Sequence, residues 1–535
     1  MTILIFFLIS YILLSISLYL LFPKANVDAI KGLIPGVNFI EWAKLIGRPA
    51  WWPILLLVPI VNIFIFAGMA VNMVRSFKQY KLVHSAAAVF YAPAAFAWLA
   101  KNDTAYYDGP NYLKEKEYLT SIRDAQKSGE KAKVERLMKK SPYKKSFGRE
   151  WTESIFFAVF AAAFIRMFLV EAFVIPTPSM EGSLMVGDFL FVSKANYGMR
   201  MPMTIAMIPL LHNRIPVVGG ESYLKKPSLK YKRLPALEKI ERNKPIVFNW
   251  PVGDSVYITK QRSYTLGQAR RNKAYLSYDR DLEKKVRKKD FVVRPVDKKD
   301  HYIKRCVGAP GDTLQIINRQ IYIDGKEAKN PENMQFLYKI TWPKNGVNSK
   351  KLKEWGIGDT DSDFAGPQSN PYGYYLTNEQ ADRVRSLGNG VSIEFWKHDI
   401  EPVKSFPHDP KISKGWSVDN YGPIWIPAKD ATVKISANNI ALYRRIISVY
   451  EHNKLEEKNG QIVINGKVAT EYTFKQDYYW AMGDNRHNSE DSRVWGFVPF
   501  DHIVGKPLFI WFSTKNARIF DGIRFNRIFK SANVE

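Results

Sequence analysis

Apolar and polar positions follow two different rules on either side of about residue 176. Before it, the chain carries long apolar runs. Residues 3–21 contain no charged side chain, and about 20 apolar residues suffice to cross a hydrocarbon core of roughly 30 Å. No basic stretch precedes this run and no small-x-small site follows it, which predicts an uncleaved anchor. Residues 54–71 carry Pro59 and Asn62 but remain long enough to span. Residues 86–100 are short and broken by Pro93, so that they span, re-enter or lie in the interface. The fourth run, 155–165, stops at Arg166 and resumes over 167–170. Trp151 as an interfacial anchor and Arg166 snorkelling at the other face extend it to a full span.

After residue 176 the period changes. Short runs rich in Val, Ile, Tyr, Phe and Trp alternate with Gly, Pro, Asn and Asp, as in "DTLQIINRQIYIDGKEA" and "GQIVINGKVATEYTF". Asp-Gly and Asn-Gly between apolar runs predict hairpins, so this part reads as mainly β. Residues 201–298 and 327–459 lack helical periodicity and read as insertions into a β core. Tryptophans 342, 355, 396, 416 and 425 read as the core of the second insertion.

Charge orients this arrangement. Residues 101–150 hold 13 Lys and Arg against 8 Asp and Glu, and Arg75, Lys78 and Lys81 are basic as well. Basic loops stay in the cytoplasm. The fourth segment therefore runs outward, and everything after 175 is exported. Three crossings satisfy the charges better than four. The expected division is a membrane region over 1–100, a charged cytoplasmic linker over 101–150 and a membrane anchor over 151–175. A β core follows over 176–326 and 460–530, with a β-rich subdomain over 327–459.

The net charge of +27 suits anionic lipid headgroups. Nucleic acid is not expected, because no zinc spacing, RNP run or helix-turn-helix accompanies the charge. The lone Cys306 excludes an intrachain disulfide and a multi-cysteine metal site; neither metal nor cofactor is expected.

Three stretches could carry chemistry. In "VIPTPSMEGSLMVGDFLFVSK", Ser179 follows Pro176 and Pro178 just beyond an apolar run. Taken alone, the stretch reads more readily as the end of a helix than as a nucleophile. A nucleophilic serine needs a base and oxyanion donors. No G-x-S-x-G frame is present, and Gly182 stands where a Ser-x-x-Lys motif needs lysine. A distant, desolvated lysine remains. Lys304, in the apolar-flanked "DHYIKRCVGAPGD", is a candidate, and Lys194 is its rival by proximity. The third stretch, "MGDNRHNSEDSRVWGFVP", is polar from 484 to 493 and then returns to apolar residues.

Together these stretches resemble the serine, lysine and Gly-Asp-Asn-Arg boxes of the bacterial type I signal peptidases, or leader peptidases, in that order after a membrane span. The resemblance covers about 55 of the 535 residues and extends weakly to "GIRFNRI". With the pattern above, it gives N-terminal transmembrane helices followed by a mainly-β, signal-peptidase-like catalytic domain of antiparallel sheets; the large β-rich insertion, longer than the family's usual gaps, is not explained by the resemblance. The resemblance implies Ser179 as nucleophile and Lys304 as general base. The Ser179 N–H and the Thr177 hydroxyl would hold the oxyanion, and Ser489 would orient Lys304. Asp491 and Arg493 would form a bracing pair, with Asp484 and Arg305 nearby. Ile175, Pro176, Met180, Leu184, Tyr302 and Ile303 would line shallow pockets for small P1 and P3 side chains. The implied partners are exported preproteins, membrane lipid and the export translocon. The implied place is the cytoplasmic (inner) membrane, multi-pass, with the catalytic domain outside. Gly182-Ser183 departs from the family's usual Pro-Thr. Residues 32–63 resemble a small membrane domain fused to some of these peptidases. A scaffold without catalysis, or a specialised membrane protease with a regulatory substrate, remains the alternative.

Overall fold

In the first hundred residues the long apolar runs become helices that bury one face against each other. The computed structural model describes residues 2–533 except 59–60, 144–145, 219, 261, 272–273, 344–348, 359–362, 366–369, 389, 397–404 and 459. Pro59 therefore lies outside the described residues. Contacts divide the chain into two units, Met1–Phe157 and Ala158–Glu535.

The first unit contains α1 (Thr2–Leu21), α2 (Val37–Leu45), α3 (Val61–Ser76), α4 (Leu82–Lys101), α5 (Asn111–Lys127) and α6 (Lys131–Lys140). Trp42 is its packing centre, fully buried, edge-on to Phe66 and Phe96, with its indole N–H donated to the Met69 carbonyl at 3.3 Å. An indole needs such an acceptor once water is gone. α5 and α6 carry the charged linker.

Among the described residues, three helices are long and apolar enough to cross a membrane: Leu8–Ala25, Leu82–Lys101 and Phe147–Phe168. This corrects the expectation that favoured 54–71 over 86–100. The earlier stretch is divided between a 3-10 segment, Trp52–Leu57, and the 16-residue α3. α4 instead begins at Leu82 and keeps going past Pro93, with Tyr91 leaving helical geometry at φ −155° and ψ 85°. A proline kinks a helix without ending it when a neighbour absorbs the bend. α7 (Phe147–Phe168) is the third of these helices, and only 6% of it is buried.

The second unit is built on a seven-stranded antiparallel sheet. Its strands are β1 (Val170–Val174), β2 (Asp188–Ser193), β3 (Lys244–Asn249), β4 (His301–Gly308), β5 (Tyr478–Met482), β6 (Val498–Pro499) and β7 (Ile503–Ser513). Their spatial order is β1-β2-β7-β3-β4-β5-β6. Successive side chains point to opposite faces, and both faces of β3 are covered. Ile246 and Phe248 pack with Trp250, Cys306 and Trp495, while Val247 packs with Ile175, Met180, Leu184 and Leu190. The nucleophile candidate leaves β1, and the lysine candidate lies on β4 between β3 and β5.

The hairpin signals form as expected. Asn318-Arg319, Asp324-Gly325 and Asn465-Gly466 all have positive φ and close tight turns, the handedness that matches strand twist. Two expectations are corrected. The inserted stretches contain short helices, including Leu266–Arg271, Arg280–Lys288 and Asn378–Arg385. They are too short for a 3.6-residue period to stand out. The five tryptophans do not share one core. Trp342 and Trp355 belong with strands 335–341, 372–377 and 392–395, Trp416 and Trp425 pack in another cluster, and Trp396 is exposed.

Candidate active site

Ser179 sits in a 3-10 turn, Pro178–Met180, entered from the extended Thr177. Pro178 opens the turn, where its missing N–H costs nothing. The structure buries Ser179 at 8% exposure. What covers it comes from far along the chain. Lys304 Nζ lies 2.6 Å from Ser179 Oγ, and the Asn485 N–H donates to the Ser179 carbonyl at 3.2 Å.

Lys304 is 2% exposed. Beside it, Tyr302 stacks on Trp250 at 5.0 Å and meets Trp495 edge-on, and the ammonium lies 5.5 Å from the Tyr302 ring centre. Its other hydrogen bond goes to the Ile303 carbonyl at 2.9 Å. Burial pulls its pKa down to about 8, against the opposing pull of Asp491, Asp484 and Glu490. Desolvation outweighs these carboxylates because none forms an ion pair with the ammonium.

Arg305, the next residue on β4, turns to a different partner. Its guanidinium grips Asp484 through Nε at 2.8 Å and Nη2 at 2.6 Å, both side chains fully buried. Asp491 and Arg493 form a second two-pronged pair at 2.9 and 2.7 Å. Burial pushes the Asp491 carboxyl up, but the Arg493 guanidinium and the Gly483 N–H outweigh it and hold it below the usual range. Asp491 also caps the helix Ser492–Trp495 by accepting from the Arg493 N–H. These pairs fix the loop that carries Asn485 to Ser179.

Two glycines permit the close approach. A Cβ on Gly483 would lie 2.3 Å from both the Ser179 carbonyl and the Ser489 Oγ. Gly182 has φ +91°, and its Cβ would meet the Asn333 carbonyl at 2.1 Å. The departure from Pro-Thr is thereby explained: the backbone of a distant loop packs directly on residue 182. Ser183 has work of its own, with its hydroxyl 3.4 Å from Arg305 and its carbonyl accepting from Arg527 at 2.9 Å. Arg527, in the C-terminal "GIRFNRI", also holds Asp188 at 2.7 Å.

Ile175, Pro176, Thr177, Tyr302 and Ile303 line a cavity of about 250 Å³ with Ser179 and Lys304. Two assignments are corrected. Met180 and Leu184 are fully buried in the core beneath, because the turn carries the chain inward after Ser179. Ser489 is buried but shares no hydrogen bond with Lys304. Sequence reasoning missed Asn485, although it stands inside the quoted box. It also missed Trp250, Ser263 and Gln268 on the cavity wall, which no local signal marks. Lys194, the rival base, pairs with Glu171 at 2.8 Å.

Comparison with known families matches residues 148–360 and 425–512 to "Signal peptidase, peptidase S26". The chain belongs to this family. Residues 30–110 match a separate family of unknown function, DUF5684, which overlaps the membrane domain noted in the sequence. The peptidase is 26% identical to signal peptidase I of Buchnera aphidicola subsp. Schizaphis graminum over 392 residues, 72% of this chain and 82% of that protein. It is 26% identical to signal peptidase I of Haemophilus influenzae, over 75% of this chain and 78% of that protein. Identity to signal peptidase I of Rickettsia typhi is 22%, over 68% and 79%.

Proposed function

We propose that this peptidase cleaves signal peptides from exported preproteins at the outer face of the cytoplasmic membrane, with Ser179 as nucleophile and Lys304 as general base. The 2.6 Å contact between Lys304 Nζ and Ser179 Oγ beside aromatic rings, with no carboxylate in an ion pair with the amine, carries this reading. A lysine is a base only when neutral, and desolvation supplies that state near neutral pH.

The Ser179 Oγ–H proton passes to Lys304 Nζ as Oγ bonds to the scissile carbonyl carbon. The Ser179 N–H and the Thr177 hydroxyl hold the oxyanion. Lys304 returns the proton to the departing amine nitrogen as the C–N bond breaks, leaving an acyl-enzyme. Water, deprotonated by the same lysine, attacks the ester and frees Ser179. The substrate lies extended along β1, where small P1 and P3 side chains fit beside Ile175 and Ile303. Ser489 acts through Asp491 and the Gly483 loop rather than on Lys304 directly.

The outer-face position rests on α7, which ends two residues before β1. It rests also on a C-terminal segment with Phe520, Phe525 and Phe529 exposed among Arg518 and Lys530. Exposed aromatics among basic residues suit a headgroup layer. The test is purified full-length protein with a preprotein bearing Ala-x-Ala before the cut. Cleavage after that motif is expected, and none with Ser179→Ala or Lys304→Met. Normal cleavage by Lys304→Met sinks the assignment.

A further inference from the structure

A second cluster of buried charge lies apart from the serine and takes no part in the chemistry above. It lines a cavity of about 90 Å³ at the C-terminal end of α7. Arg166, Lys194, Arg200 and Lys298 face Glu171 and Asp297 there, four cations against two carboxylates.

Most of these charges are spoken for. Glu171 pairs with Arg166 and with Lys194, each at 2.8 Å. Arg200 donates to Asn249 at 2.7 Å and to the Asp501 carbonyl at 2.9 Å. Asp297 accepts from the Met203 and Thr204 N–H groups and the Thr204 hydroxyl. Burial keeps His212 and His301 neutral, so neither adds to the balance.

Lys298 is the exception. It is 4% exposed. Among the described residues its ammonium bonds to the Met207 thioether sulfur at 2.9 Å and lies 5.5 Å from the Tyr223 ring, with no carboxylate in ion-pair reach. A buried ammonium bonded only to sulfur has no paired anion; Asp297 and Glu171 favour its charge from a distance, but desolvation outweighs them.

The rim has a different character. Ala163 and Met167 of α7 line the cavity. The loop over 204–211, "TIAMIPLL", exposes Ile205, Ile208 and Leu210, and Arg166 donates to the Leu210 carbonyl. Cations inside and exposed aliphatic side chains outside, at the end of a membrane-length helix, match a molecule that is anionic at one end and apolar at the other. The cavity is too small for a peptide and large enough for one tetrahedral oxyanion.

We propose that this pocket binds the phosphate of an anionic phospholipid headgroup, with Lys298 taking the phosphate oxygens and the 204–211 loop among the acyl chains. The proposal rests on the reading above that α7 enters a bilayer. It gives the stretch 201–298 a task, to seat the catalytic unit on lipid through a defined headgroup.

The test uses the full chain in nanodiscs of phosphatidylcholine, with or without phosphatidylglycerol, and native mass spectrometry of the lipid retained after detergent release. Wild type is expected to retain phosphatidylglycerol over phosphatidylcholine. Lys298→Met should weaken that preference about tenfold, the size of one charge-assisted hydrogen bond. Lys298→Arg should keep it, and equal melting temperatures guard against misfolding. Equal retention of the two lipids by wild type, or an unchanged preference in Lys298→Met, overturns the proposal. Inorganic phosphate bound in detergent, lost in Lys298→Met and unaccompanied by a lipid preference, overturns the lipid as its source. Alkaline extraction keeps the two readings apart: a chain that stays in the membrane yet shows no headgroup preference breaks only the pocket.

Discussion

Lys304 and Lys194 occupy neighbouring parts of one β framework; Lys304 is 2% exposed and the Lys194 side chain 16%. Burial lowers the pKa of each. What differs is the company. Lys194 faces Glu171 at 2.8 Å and the carbonyls of Arg166 and Met167 at 2.7 and 3.4 Å. Lys304 faces a serine hydroxyl and aromatic rings, while Asp484 and Asp491 are held by Arg305 and Arg493. Burial alone therefore does not make a base. A carboxylate beside a lysine keeps the ammonium charged, whereas removing the carboxylate to a neighbouring arginine leaves the amine free to accept a proton.

The largest expected effect comes from exchanging the two lysines' fates. Lys304→Ala should lower kcat at least about a thousandfold, as loss of a nucleophile's activating base does. Lys194→Ala should stay within about tenfold per folded molecule, its main cost being the buried Glu171 left with one partner. Preprotein cleavage normalised to folded protein measures both, and equal losses would erase the distinction. Next in size, Asp491→Asn frees Arg493 and the Gly483 N–H from their shared anion. It should lower kcat about a hundredfold, through misplacement of the loop that holds Ser179; cleavage kinetics with near-ultraviolet circular dichroism reads it.

The pH profile sharpens the comparison at smaller scale. With Lys304 as the proposed base, active only when neutral, and its pKa at about 8, kcat/KM should rise roughly tenfold per pH unit below that value and level off above it. Glu171→Gln should leave that limb in place, because Glu171 serves the other lysine. A limb displaced by this substitution would show that the two pockets are electrostatically one.

The smallest effect on turnover belongs to Glu181, two residues past Ser179. Burial pushes its carboxyl from 4.5 up to about 7, and Asp363 adds to this. Its Oε1 has no hydrogen-bond partner. A carboxyl raised in the folded state contributes stability below its unfolded pKa and loses it as pH climbs through the folded value. Glu181→Gln should therefore stabilise the fold at pH 8 by up to about 3 kcal/mol and not at pH 4, read as a higher melting temperature at pH 8 alone. Thermal melts at the two pH values check the sign.

The three boxes, the hairpin turns and the membrane-length runs were legible because each is local. A turn needs its own two residues at positive φ, and a span needs only consecutive apolar side chains. The extent of the membrane helices was read less well. Pro93 looked like a break within a short segment and proved to be a kink in a long helix, and 54–71 looked continuous and proved divided. Short helices inside the insertions escaped for want of length. Met180 and Leu184 were placed in the substrate pocket because they flank Ser179 in sequence, but a single 3-10 turn sends them into the core.

The sequence by itself determined the chemical inventory: a serine after a membrane span, a lysine on an apolar strand, and a polar box of paired acids and bases. Only the tertiary structure decided which lysine meets the serine. That choice spans 125 positions and depends on the pairing of β4 with β3 and β5, which no neighbouring residue encodes. It also decided why residue 182 is glycine, through a carbonyl contributed by residue 333. Local periodicity fixes what a segment is, while strand register and close packing fix what it touches, and a catalytic pair is a matter of touch.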